Sequence, residues 1–165
     1  MVTISIVVDA ASPNDGHANP DFDRNGSPDV LWQNTATGQS TIWLMSGTAK
    51  GNEADLGIYG LEWRAAAVAD FDGNGSPDIV WQNMSAGQSD IWLMSGTSWT
   101  GGADLGVHPL EWRLATTADY DGNGSADIIW QNTVTRQSYV CLMTGTTITE
   151  GADLGVLSTD WKIAN

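Results

Sequence analysis

Nine carboxylates stand at a spacing that can gather them around cations. The pattern D-x-D-x-N-G-x-x-D occurs three times, as DFDRNGSPD from Asp21, DFDGNGSPD from Asp70 and DYDGNGSAD from Asp119. Side chains at positions 1, 3 and 5 converge on one point if the loop curls, and Gly26, Gly75 and Gly124 permit the sharp turn this needs. The candidate ligands are Asp21, Asp23, Asn25 and Asp29 in the first loop. Asp70, Asp72, Asn74 and Asp78 match them in the second, and Asp119, Asp121, Asn123 and Asp127 in the third. Backbone carbonyls near Ser27, Ser76 and Ser125 would extend each shell. Such a set suits calcium, which takes about six to eight oxygens in flexible geometry, better than magnesium, which prefers a rigid octahedron with several waters. Zinc is disfavoured because no His or Cys recurs. An EF-hand is excluded because its position 12 needs Glu, and here Trp32, Trp81 and Trp130 stand there. The alternative without a metal is an Asx-turn hairpin, but three carboxylates held together repel unless a cation is present. The expectation is about three calcium ions per chain.

The elements that must position these loops repeat with them. Asp21, Asp70 and Asp119 are each 49 residues apart, and the register persists downstream without insertion. Trp32, Trp81 and Trp130 correspond, as do Leu44, Leu93 and Leu142, and Trp63, Trp112 and Trp161. Each unit reads as four short strands: an Ala-rich one before the loop (LEWRAAAVA), then DIVWQN, SDIWLM and GADLGV, separated by Gly and Asn turns. No helical periodicity competes. Four strands in about 45–50 residues is the size of a propeller blade. The small residues suit an innermost strand where blades converge, and the recurrent Trp residues suit the gaps between blades.

The fold class expected is therefore all-β, a β-propeller with three blades per chain. Residues 21–165 hold the blades, and residues 1–20 form a β-prone arm and linker without an assigned place. Inner strands are expected at 61–69, 110–118 and 159–165. The sequence NDGHANP before Asp21 reads as a turn, not as an inner strand, so the last strand is expected to complete a first blade. Three blades fall short of the usual four to eight. A homodimer closing a six-bladed ring, each C-terminal strand completing the partner's first blade, follows as the expected assembly.

Composition narrows the partners. With 20 Asp+Glu against 6 Lys+Arg, the formal charge is −14. Such a surface repels phosphate backbones and anionic lipid, so nucleic acid is disfavoured. No apolar run approaches a membrane span. The single Cys141 cannot form an intrachain disulfide, and MVTISIVVDAASP lacks the basic start of a signal peptide.

At these loops and the D-I-x-W-Q-N strands after them, the sequence resembles the FG-GAP or VCBS-type repeat family, the calcium-binding blades also found in integrin-alpha propellers. The resemblance spans roughly residues 21–165. It implies that the loop joins the first two strands of a blade and binds calcium, and that the protein is extracellular or at the cell surface, in adhesion or carbohydrate binding. It names no ligand. Four positions depart from the repeat: Cys141 where Trp43 and Trp92 stand, Arg136 where Gly38 and Gly87 stand, Arg24 for Gly73 and Gly122, and Ala126 for Pro28 and Pro77. Cys141 is expected to weaken packing around the third blade, and Arg136 to strain or rearrange its turn.

Two functional readings follow. In the first, the chain is a calcium-stabilised recognition module, lectin-like or adhesive, whose repeated surfaces bind repetitive glycans or cell-surface proteins multivalently. Trp99, in a polar turn, and the amides Gln33, Asn34, Gln82, Asn83, Gln131 and Asn132 are the candidate ligand contacts; hairpin packing and blade-edge hydrogen bonding are their alternative roles. In the second, the chain is a structural, self-assembling unit without a small ligand. An enzyme is disfavoured: His17 and His108 have no evident acid or nucleophile partner, and an active site is a unique constellation, not a threefold repeat.

Overall fold

The structure, a computed structural model, describes residues 4–7 and 20–158. Three four-stranded antiparallel sheets follow one another along the chain. The first contains β1 (Ile4–Val7), β2 (Val30–Asn34), β3 (Gln39–Ser46) and β4 (Ala49–Ile58). The second contains β5 (Trp63–Ala69), β6 (Asp78–Asn83), β7 (Gln88–Ser95) and β8 (Ser98–Val107). The third contains β9 (Trp112–Ala118), β10 (Asp127–Asn132), β11 (Gln137–Thr144) and β12 (Thr147–Val156). Each sheet runs in simple meander order, and β5 lies beside both β1 and β9. The first strands of the sheets thus converge, as blades do around an axis.

The 49-residue register predicted from sequence recurs in the pairing. Trp81 faces Asp90 across β6 and β7, Trp32 faces Thr41, and Trp130 faces Tyr139. Bulges recur where β3, β7 and β11 meet their outer partners, after Ser40, Ser89 and Ser138. A bulge adds a residue and increases local twist, which helps a flat ladder become a twisted blade.

Burial is concentrated between the sheets. Phe22, Leu31 and Ile42 of the first blade pack with Ile79, Trp81 and Met94 of the second. Phe71, Val80 and Ile91 of the second pack with Ile128, Trp130 and Met143 of the third. The second sheet therefore offers one apolar face to the first blade and the other to the third. This is why IWLM and its counterparts carry apolar residues on both faces.

One expectation is corrected. The inner position of the first sheet is held by Ile4–Val7, with Ile6 opposite Trp32 and Ser5 opposite Gln33. The strand comes from a segment further upstream than the residues next to Asp21. The arm thus has a place, and within the chain the first blade has four strands without a borrowed one. The inner strand expected at 159–165 lies outside the described residues, as does His17.

Candidate functional site

Each acidic loop connects the first and second strands of a blade, spanning β1–β2, β5–β6 and β9–β10. The curl is produced by short hydrogen bonds from the loop's own backbone. The N–H groups of Gly73 and Gly75 donate to the two oxygens of Asp70, and Asn74 N–H donates to Asp72. Asn74 then ties the loop to the neighbouring hairpin: its Nδ2 donates to Met94 O at 2.9 Å, while its Oδ1 accepts from Ser76 N–H at 2.6 Å. Ser76 Oγ accepts from Gly96 N–H. Asn25 and Asn123 make the same links to Met45 O and Met143 O, and Ser27 and Ser125 accept from Gly47 and Gly145.

The ninth-position carboxylates have a distinct place. Asp78 is fully buried, and its two oxygens accept from Phe71 N–H and Met94 N–H, both at 2.8 Å. Asp29 does the same with Phe22 and Met45, and Asp127 with Tyr120 and Met143. These residues pin the start of the loop to the third strand of the blade. Burial raises the Asp78 carboxyl to about 6 against its two hydrogen bonds, and the charges of Asp72 and Asp70 add to the rise. Asp29 is also raised, chiefly by burial.

In every loop the first, third and ninth carboxylates come together. One oxygen each from Asp21, Asp23 and Asp29 lies within 4.8 Å of the others, and the same holds for Asp70, Asp72 and Asp78 and for Asp119, Asp121 and Asp127. Three clustered carboxylates, one of them buried, form an all-oxygen donor set that fits a hard divalent cation. Their backbone hydrogen bonds leave lone pairs free, because an ionised carboxylate accepts at about four positions.

Arg24 alters the first loop without taking a ligand away. It holds the left-handed conformation that Gly73 and Gly122 hold, at φ 58°. Its Nη2 donates to Asn74 O at 2.7 Å and to Ser76 Oγ at 2.8 Å, bridging the first loop to the second. Sequence comparison of the repeats marked Arg24 as a departure but could not show that it reaches a loop fifty residues away.

The amides singled out as ligand contacts are engaged in the fold. Gln33 Nε2 donates to Trp63 O at 2.9 Å, and Gln82 Nε2 to Trp112 O at 2.9 Å, each reaching the inner strand of the next blade. Asn34, Asn83 and Asn132 close Asx turns through their Oδ1 atoms. Gln131 donates to Ser138 Oγ at 3.4 Å in its own blade. Trp99 is 62% exposed, and its ring lies 6.5 Å from that of Trp92.

Two clefts occupy equivalent positions on the outer strands. One, of about 360 Å³, includes Gln39, Trp43, Glu53 and Asp55. The other, of about 350 Å³, includes Gln88, Asp90, Trp92, Trp99 and Asp104. Gln39, Trp43 and Asp55 match Gln88, Trp92 and Asp104 in the repeat. The Gln side chains make only long hydrogen bonds there, Gln39 to Asp55 at 3.4 Å and Gln88 to Asp90 at 3.3 Å. The third blade differs: Cys141 replaces the Trp, and a Cβ at Gly151 would strike the Tyr139 ring. Reading the repeats in register could have found Gln39 and Asp55, but nothing in the sequence said that they border a cleft.

His108, considered as a possible catalytic base, stacks on Trp130 with ring centroids 4.2 Å apart, and burial lowers its pKa. No helix among the described residues is long and apolar enough to cross a membrane. The FG-GAP-like repeat matches the chain twice in overlap, at residues 21–81 and 70–130, together more than half of its length. No curated protein and no solved structure matches it significantly. With three sheets in one register and an acidic loop at the same corner of each, the chain belongs to the FG-GAP-like repeat family.

Proposed function

We propose that this chain is a calcium-stabilised recognition module of extracellular or cell-surface setting, with carbohydrate as its ligand class. The observation that carries the metal is the threefold Asp cluster with oxygens within 4.8 Å. Asp21, Asp23 and Asp29 and their counterparts would hold the ion, joined by Asn25, Asn74 and Asn123. The ion supplies positive charge that makes the clustered, partly buried carboxylates compatible with one another. The residues themselves fasten the loop to the neighbouring hairpin, so cation binding stiffens each blade at one corner.

The recognition surface in this reading is the pair of equivalent clefts. Each combines an aromatic face with a planar amide and a carboxylate, the groups that stack on sugar rings and hydrogen-bond to vicinal hydroxyls. Two copies on neighbouring blades favour repetitive glycans. The test is a glycan array in calcium and in chelator, with Trp99→Ala and Gln88→Ala alongside. Binding lost in both variants at unchanged melting temperature supports the cleft; an array without a hit in calcium sinks the carbohydrate reading.

A further inference from the structure

Among the described residues, the first and third blades each keep one apolar face that no neighbouring blade covers. Inside the chain, successive blades join by a repeated device. The connection leaving β4 places Tyr59 against Trp81 and Trp92 of the next blade, with ring centroids 5.4 and 4.7 Å away. The connection leaving β8 places His108 on Trp130. Leu56 and Leu105 pack into the same two interfaces, and Gln33 and Gln82 hydrogen-bond across them.

Translating this device by one more repeat gives a plug without a socket. Leu157 stands where Tyr59 and His108 stand, and Leu154 where Leu56 and Leu105 stand. Leu154 is 54% exposed and Leu157 47%, against 9% for Leu105. Among the described residues Gln131 reaches no further than its own blade. Translating backward gives a socket without a plug. Val30, Trp32 and Met45 are half-buried, whereas Ile79, Trp81 and Met94 are fully buried, as are their third-blade counterparts apart from 2% of Trp130. The cleft at Trp43 opens onto Trp32, while the equivalent cleft at Trp92 does not include Trp81, which Tyr59 covers.

We infer that a second copy of this chain seats its Leu154–Leu157 face on the Val30–Trp32–Met45 face of the first, repeating between chains the joint already made twice within each. The joint is head to tail, and applied reciprocally it closes two copies into one ring. It differs from the strand exchange expected from sequence, because Ile4–Val7 already fills the inner position of the first blade. It requires neither the metal nor the glycan.

Analytical ultracentrifugation of the 165-residue chain tests it, with far-UV circular dichroism as the folding control. The expected particle is twice the 17.6 kDa chain mass. Leu154→Asp with Leu157→Asp changes only exposed side chains and is expected to give a folded single chain. Trp32→Glu is expected to do the same, and Met45→Glu serves if that variant unfolds. An equimolar mixture of tail and head variants keeps one intact joint and is expected to recover the two-chain mass at high concentration. A folded wild-type chain at single-chain mass overturns the inference and leaves the faces to further blades on the same polypeptide. A tail variant that retains the two-chain mass, or a mixture that stays single, also overturns it, since the joint would then not be head to tail.

Discussion

Asp78 and Asp72 belong to one cluster and do different work. Asp78 uses both oxygens to accept buried backbone N–H groups, those of Phe71 and Met94. Asn in its place offers one acceptor and turns an amide donor toward an N–H. Asp78→Asn is expected to destabilise the metal-free protein by about 1–3 kcal/mol, the cost of a buried unsatisfied group, measured by urea unfolding in chelator. Asp72→Asn, at an exposed position, should leave that value nearly unchanged and weaken calcium binding. The pH dependence follows from the same burial. The folded Asp78 carboxyl titrates at about 6, above its ordinary 3.8. The folded state then binds the proton more tightly than the unfolded one, so the metal-free protein gains stability from this group as pH falls from about 6 toward 4. Calcium needs the ionised form, so the melting-temperature gain on adding calcium should shrink between pH 7 and pH 5. A gain equal at both values would argue that Asp78 is not linked to the ion.

At the scale of elements, the turns between second and third strands show how one substitution is absorbed in one blade and excluded in another. Gly38, Gly87 and Arg136 all adopt positive φ, and each donates its N–H to an Asn carbonyl at 2.8–2.9 Å. The turn predicted to strain or rearrange at Arg136 keeps its shape and retains the left-handed strain. Arg136→Gly should therefore stabilise the protein by about 1 kcal/mol in denaturant unfolding. At Gly87 a Cβ would collide with the His108 carbonyl. Gly87→Ala should cost about 2–4 kcal/mol by the same assay, through overpacking and an incompatible φ. The first strand is a second case. Its four apolar-alternating residues are legible as β-prone, but residues 8–29 separate them from their partner, and no local pattern encodes so distant a pairing. Removing residues 1–7 should open the edge of β2 and accelerate hydrogen exchange at Leu31–Gln33. Unchanged protection would place another strand there.

Across the whole molecule, the excess of acid has a location. Nine of the 20 acidic residues lie in the three clusters. Three calcium ions would take the formal charge from −14 to −8, that is −14 plus six. Titration calorimetry should then saturate near three ions per chain, and saturation near one would confine the metal to a single loop. The identity of the family, the four-strand unit and the carboxylates of each cluster were legible in the sequence, because repetition in strict register exposes every position three times. Trp32, Trp81 and Trp130 illustrate what was not. They are the same residue at the same position, each followed by Gln-Asn, yet two are buried by the preceding blade and one is not. Position in the repeat fixed which residues could pack between blades. Whether a given copy does so depends on what the preceding blade brings against it, Tyr59 on Trp81 and His108 on Trp130, and only the tertiary arrangement decided that. The amides of Gln33 and Gln82 were settled in the same way. The sequence determined that they sit at a strand end, while the approach of the next blade's inner strand made them cross-links. Side-chain spacing acts through the local backbone and is written in sequence order; burial depends on what comes to lie opposite.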